Sequence, residues 1–158
     1  MKQNNLITAV LCITLLSVYD NCQAQLTMTS GLAEVKKEIE SVNTLYFDLF
    51  AKNDESIVNF YTEDACLLAP NMLPISGRKA LKKDFADTFT AGKVKSVRFQ
   101  TSNVYGDGKE YVTEEGAWQV FDPEGKPLDD GKYLKLWRKT KAGWKIFRDS
   151  FNSNHKAP

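Results

Sequence analysis

The chain has 158 residues, 42% apolar and 26% charged, with a formal net charge of +1. That length suits one domain with one core, and the near-neutral charge excludes the basic excess of a nucleic-acid-binding surface. The single histidine, His155, excludes a Ser-His-Asp triad and histidine-based zinc or iron sites, and no glycine-rich phosphate loop is present, so no metal or cofactor is expected.

In chain order, Leu6 to Val18 is an apolar run too short for a membrane span. Cys22-Gln23-Ala24 offers small residues at the two positions a signal peptidase reads. Residues 1–24 therefore read as an export signal cut after Ala24, and 25–158 as a single domain. The expected location is periplasmic or extracellular, with no transmembrane segment. Lipid attachment at Cys22 is the rival, and Asp20-Asn21 ahead of it suit that poorly. Cys66 is then the only cysteine of the exported chain, so no internal disulfide can form; it reads as a buried, inert thiol.

Ser30 is a reasonable helix cap. From Leu32 on, Val35, Ile39, Val42, Leu45, Tyr46, Leu49 and Phe50 recur at steps of three and four. That spacing predicts one long amphipathic helix ending near Lys52-Asn53. Asp54 caps a short second helix over Glu55 to Tyr61. Ala65 to Ala69 reads as a short strand stopped by Pro70. Ser76-Gly77 opens a third helix, with Ala80, Leu81, Phe85 and Phe89 inward and Gly92 at its end. Four longer strands follow: Val94 to Tyr105, Glu110 to Phe121, Gly131 to Lys139 and Trp144 to Ser153. Glycine-bearing turns separate them.

Helices first and sheet last predict an α+β domain. Its curved antiparallel sheet would wrap a long N-terminal helix and two shorter ones, enclosing a conical cavity. The strand with Leu134 and Leu136 is apolar on both faces, so one face would fill the cone and the other need cover. A second subunit is a natural source, making a homodimer the expected assembly.

Ala51-Lys52-Asn53-Asp54, Phe60-Tyr61 and Glu63-Asp64-Ala65 resemble the early motif of the nuclear transport factor 2-like superfamily. Ser76-Gly77-Arg78-Lys79-Ala80-Leu81 resembles its third-helix start. Gly143-Trp144-Lys145-Ile146 with Arg148-Asp149 resembles the ending of SnoaL-like, ketosteroid-isomerase-like domains. The resemblance covers residues 32–154 and implies a cystatin-like α+β barrel. It fixes no activity, because isomerases, cyclases, dehydratases and binding modules share that cone. It carries the isomerase tyrosine onto Tyr46. The isomerase base position falls on Ala69, and the second acid position falls near Tyr133. Neither is a carboxylate, a departure that speaks against the isomerase reaction.

The candidate catalytic residues are Asp149 and Tyr46. Asp149 alternates with Phe147 and Phe151, and a carboxylate among aromatics would be desolvated and suited to proton transfer. The alternative is an ion pair with Lys135 or Arg148 at a sheet rim. A parity error of one residue would instead turn Ile146, Arg148 and Ser150 inward. Tyr61, Trp118, Tyr133, Trp137, Phe147 and Phe151 are the candidate ligand-binding wall. Two functions stay open. One is an exported domain that binds a small apolar or aromatic molecule, with acid–base chemistry. The other is a non-catalytic, dimerising interaction module with a filled cone.

Overall fold

The computed structural model describes residues 31–156. The expected signal over 1–24, with Cys22, lies outside them, as does the Ser30 cap. Among the described residues no helix is long and apolar enough to cross a membrane.

Helix α1 runs over residues 31–51. Its buried stripe is Val35, Ile39, Tyr46 and Phe50. It stops where Asn53 adopts a left-handed φ of 56°. The short second helix is a 3-10 segment, Glu55–Phe60, capped by Asp54, whose side chain accepts from the Ser56 amide at 2.8 Å. Tyr61 does not belong to that segment; it opens β1, Tyr61–Leu68, which starts before the expected Ala65. β2 is the two-residue Ile75–Ser76, and α2 is Arg78–Ala91, closed by Gly92 in left-handed conformation. Ala80 of α2, expected inward, is exposed. The four long strands are β3 Ser96–Gly106, β4 Tyr111–Phe121, β5 Pro127–Thr140 and β6 Gly143–Ser153.

One six-stranded sheet results, ordered β2-β1-β6-β5-β4-β3. It is mixed, because β1 lies parallel to β6 while β3 to β6 form the expected antiparallel meander. It is also open, with β2 and β3 as edges. α1 lies across the inner face: Tyr46 packs against Phe99 of β3, and Lys36 Nζ donates to the Ser102 carbonyl at 3.0 Å. α2 packs beside β1, and Phe85 reaches the Tyr46 and Tyr61 rings.

The outer face of β5 is less apolar than its sequence suggests. Leu134 is 53% exposed, but its neighbours across the sheet are Glu115 and Ser150. Cys66 is half-buried rather than buried, with Ser76 Oγ 3.4 Å from its sulfur.

One glycine sets the wall of the cone. Gly131 of β5 faces Trp118 of β4, and the indole Nε1 donates to the Asn152 carbonyl at 3.3 Å. A Cβ at Gly131 would collide with that carbonyl oxygen and lie 2.6 Å from the indole nitrogen. Neither strand can yield without breaking the β5–β6 ladder. Gly131→Ala is expected to cost about 1–3 kcal/mol. Thermal unfolding followed by circular dichroism checks it; an unchanged midpoint would refute this account of the wall.

Candidate functional site

The inner face of the sheet carries a row of three titratable side chains. Glu114 of β4 pairs in register with Lys135 of β5, which pairs with Asp149 of β6. Directly opposed side chains on one face lie roughly 5 Å apart at Cβ. All three are buried, at 0%, 1% and 5% exposure. Rows of aromatic and aliphatic residues flank them: Tyr133 with Phe151 on one side, Val112 with Trp137 and Ile146 on the other.

Buried charges need partners, and the three solve this differently. Glu114 is saturated. Its Oε1 accepts from Asn43 Nδ2 at 2.8 Å, Thr101 Oγ1 at 2.7 Å and Tyr133 OH at 2.7 Å. Its Oε2 accepts from Trp137 Nε1 at 2.9 Å. Among the described residues Asp149 has one hydrogen bond, to Oδ2 from Tyr61 OH at 2.9 Å. The Tyr61 hydroxyl in turn lies 3.4 Å from that of Tyr46. Among the described residues Lys135 Nζ has no hydrogen-bond partner. It sits among ring faces instead, 3.3 Å from the Phe99 centroid, 4.7 Å from Tyr133 and 5.6 Å from Tyr46.

Asp149 and Lys135 both border a cavity of about 170 Å³ between the sheet, α1 and α2. Tyr46, Tyr61, Trp118, Tyr133 and Phe151 border it too, as do half-buried Asp84 and Thr88. A void of roughly 150 Å³ takes a benzene-sized molecule. A larger concavity, about 590 Å³, lies on the outer face, but neither Asp149 nor Lys135 borders it.

Burial dominates the protonation states. It pushes the Asp149 carboxyl above the usual carboxylate range, against the opposing pull of Lys135 and the Tyr61 hydrogen bond. It pushes the Lys135 ammonium down, against Asp149 and Glu114. It raises Tyr46 and Tyr61, with Asp149 adding to both, so both hydroxyls stay protonated and can donate.

Two expected wall residues stand elsewhere. Trp137 is fully buried and bound to Glu114, away from the cavity. Phe147 faces outward, with the Arg148 and Arg138 guanidiniums 3.7 and 4.5 Å from its ring centroid. The cause is a β-bulge: Trp137 pairs with Ile146, but Leu136 pairs with Arg148, leaving Phe147 as the extra residue. Ile146 and Asp149 both face inward as a result, whereas Arg148 turns out and donates to the Asp64 carbonyl at 3.2 Å. Ala69, at the isomerase base position, follows the end of β1 and does not border the cavity. His155 is remote and exposed, with Nε2 2.7 Å from Asp130 Oδ1.

Sequence reasoning missed Lys135 and Glu114 as site residues. A signal existed: Lys135 alternates with Tyr133 and Trp137, and Glu114 with Val112. A charged residue inside an aromatic or aliphatic alternation points at an inner face.

No family model matches the chain, and no curated protein matches its sequence. Solved structures do match. A nuclear transport factor 2-like protein with a cystatin-like fold from Novosphingobium aromaticivorans is 20% identical, with a TM-score of 0.68 over 87% of this chain and 91% of that one. A ketosteroid isomerase-like protein from Erwinia carotovora atroseptica is 19% identical, with a TM-score of 0.61 over 75% and 95%. A nuclear transport factor 2-like superfamily protein from Salmonella enterica serovar Typhimurium is 16% identical, with a TM-score of 0.62 over 80% and 95%. At these identities the likeness is one of fold: the chain has the cystatin-like, nuclear transport factor 2-like α+β architecture.

Proposed function

We propose that this chain, a cone of the nuclear transport factor 2-like fold, binds a small, mainly apolar molecule and transfers a proton on it. Export of the chain, expected from residues 1–24, belongs to the same proposal. The observation that carries it is Asp149: a buried carboxyl with a single hydrogen bond, bordering an open cavity walled by aromatic rings. Desolvation brings its pKa towards the range useful for general acid–base work. Tyr46 supplies a protonated hydroxyl at the same cavity to hold a ligand oxygen. The open volume favours this reading over a cone filled by its own side chains.

Acetophenone is a suitable probe, being flat, near the size of the cavity, and bearing hydrogens acidified by a carbonyl. The protein is expected to accelerate exchange of those hydrogens in deuterated water, read by NMR. Asp149→Asn keeps the shape and removes the group that moves the proton, so it should lower the rate about 100-fold. A variant that exchanges at the wild-type rate would sink the assignment of Asp149.

A further inference from the structure

We propose that Lys135 is the nucleophile of a covalent carbonyl site, condensing with a small aldehyde or ketone in the cone to form an imine. The inference rests on the cone-binding reading above and adds to it the bond that is made.

Three observations place the nitrogen for this. Lys135 Nζ is buried and has no hydrogen-bond partner among the described residues. The side chain borders the cavity, so an entering carbonyl group meets it. The faces of Phe99, Tyr133 and Tyr46 lie against the nitrogen, at 3.3, 4.7 and 5.6 Å from ring centroid to Nζ. An unpaired polar group in such surroundings is costly, and structures retain it mainly where it acts.

A nucleophilic amine must first lose a proton, and the row of charges supplies the acceptor. The groups facing Lys135 are Glu114 on β4, Asp149 on β6, Tyr46 on α1 and Tyr61 on β1, with Tyr133 on its own strand and Asp84 of α2 across the cavity. Glu114 is already taken by four donors. The tyrosines hold their protons. Asp149, in register with Lys135 and holding one hydrogen bond, is the acceptor. Ring faces favour the ammonium, whereas burial favours the neutral amine and the neutral acid together.

The chemistry then balances within the site. The amine lone pair attacks the carbonyl carbon and forms the C–N bond. The carbonyl π pair moves to oxygen, which takes the proton from Asp149, and the nitrogen returns one to the Asp149 carboxylate. Asp149 next protonates the new hydroxyl, the C–O bond breaks, and water leaves as the nitrogen lone pair closes C=N. The iminium gives its proton back to Asp149. Amine and carbonyl compound have become imine and water, with no oxidant or reductant.

The test is reductive trapping on the folded chain. Benzaldehyde, and separately butanal, is added with sodium cyanoborohydride near neutral pH, and alkylated lysines are located and timed by peptide mass mapping. Lys135 is expected to react at least about tenfold faster than any other lysine, because exposed lysines stay protonated. Unfolding in urea should remove that advantage. Lys135→Arg, with its fold checked by circular dichroism, should lose the fast adduct. Alkylation of Lys135 no faster than exposed lysines in the folded protein would overturn the proposal. Benzaldehyde has no hydrogen beside its carbonyl, so trapping reads bond formation and not proton exchange. If benzaldehyde quenches tryptophan fluorescence without trapping, the covalent site falls and the binding cone stands. If it neither binds nor traps while acetophenone exchange also fails, both fall.

Discussion

Replacing Glu114 by alanine is expected to destabilise the protein by about 4 kcal/mol, a large part of the total stability of a domain this size. The carboxylate is fully buried and accepts from Asn43, Thr101, Tyr133 and Trp137. Those donors come from α1, β3 and β5, so one side chain ties the helix to the sheet. Removing it orphans the buried donors of Asn43, Tyr133 and Trp137 and that of half-buried Thr101, each costing roughly 1–3 kcal/mol unless water reaches it. Glu114→Gln separates hydrogen bonding from packing. Its carbonyl oxygen can still serve three donors, but its NH2 then confronts Trp137 Nε1–H. The expected loss is smaller, about 1–2 kcal/mol. Urea unfolding of both variants measures this. An alanine variant within about 1 kcal/mol of wild type would show that the network does not depend on the carboxylate.

The second large effect has the opposite sign. The double variant Lys135→Met/Asp149→Asn is expected to be more stable than wild type by about 1–4 kcal/mol, and inactive. Lys135 and Asp149 are buried in register with one another, yet among the described residues the two together have one side-chain hydrogen bond, from Tyr61 OH to Asp149. Methionine fits among the rings without a charge to desolvate. Lys135→Met alone should behave differently, because it leaves Asp149 buried without its cation. The folded-state pKa of Asp149 lies above its unfolded value. Its contribution is therefore fully present below the unfolded pKa, near 3.9, and is lost as pH rises through the folded value. The single variant should lose stability across that rise more steeply than wild type, while the double variant should lack the part of the loss that Asp149 causes. Thermal midpoints across pH decide it; a double variant less stable than wild type would mean that the pair stabilises the fold.

The opposite signs have one cause. A buried charge stabilises to the extent that hydrogen bonds replace its water. Glu114 has them and anchors the fold; Lys135 and Asp149 lack them and face a cavity. Stability left unclaimed at a cavity is common where a ligand completes the interactions.

Much of the architecture was legible in the sequence because it depends on local periodicity. The α1 stripe from Val35 to Phe50 repeats at helical spacing. The turns at Gly108, Gly125 and Gly143 use positive φ and mark the strand ends. Order, layers and the inward role of Tyr46 follow from such signals. Asp149 was reached from its aromatic neighbours, although one of them, Phe147, lies on the opposite face. The bulge at Phe147 decided which residues of β6 line the cone. Continuing the register of the Thr140–Gly143 turn without it would turn Arg148 inward and Asp149 outward. Nothing periodic announces a bulge, because it adds one unpaired residue to a strand whose alternation otherwise continues. Nor does one strand's sequence reveal that Glu114, Lys135 and Asp149 form one row. That alignment is a property of three strands in register, and only the folded sheet, with α1 closing over it, brings the three charges together out of water.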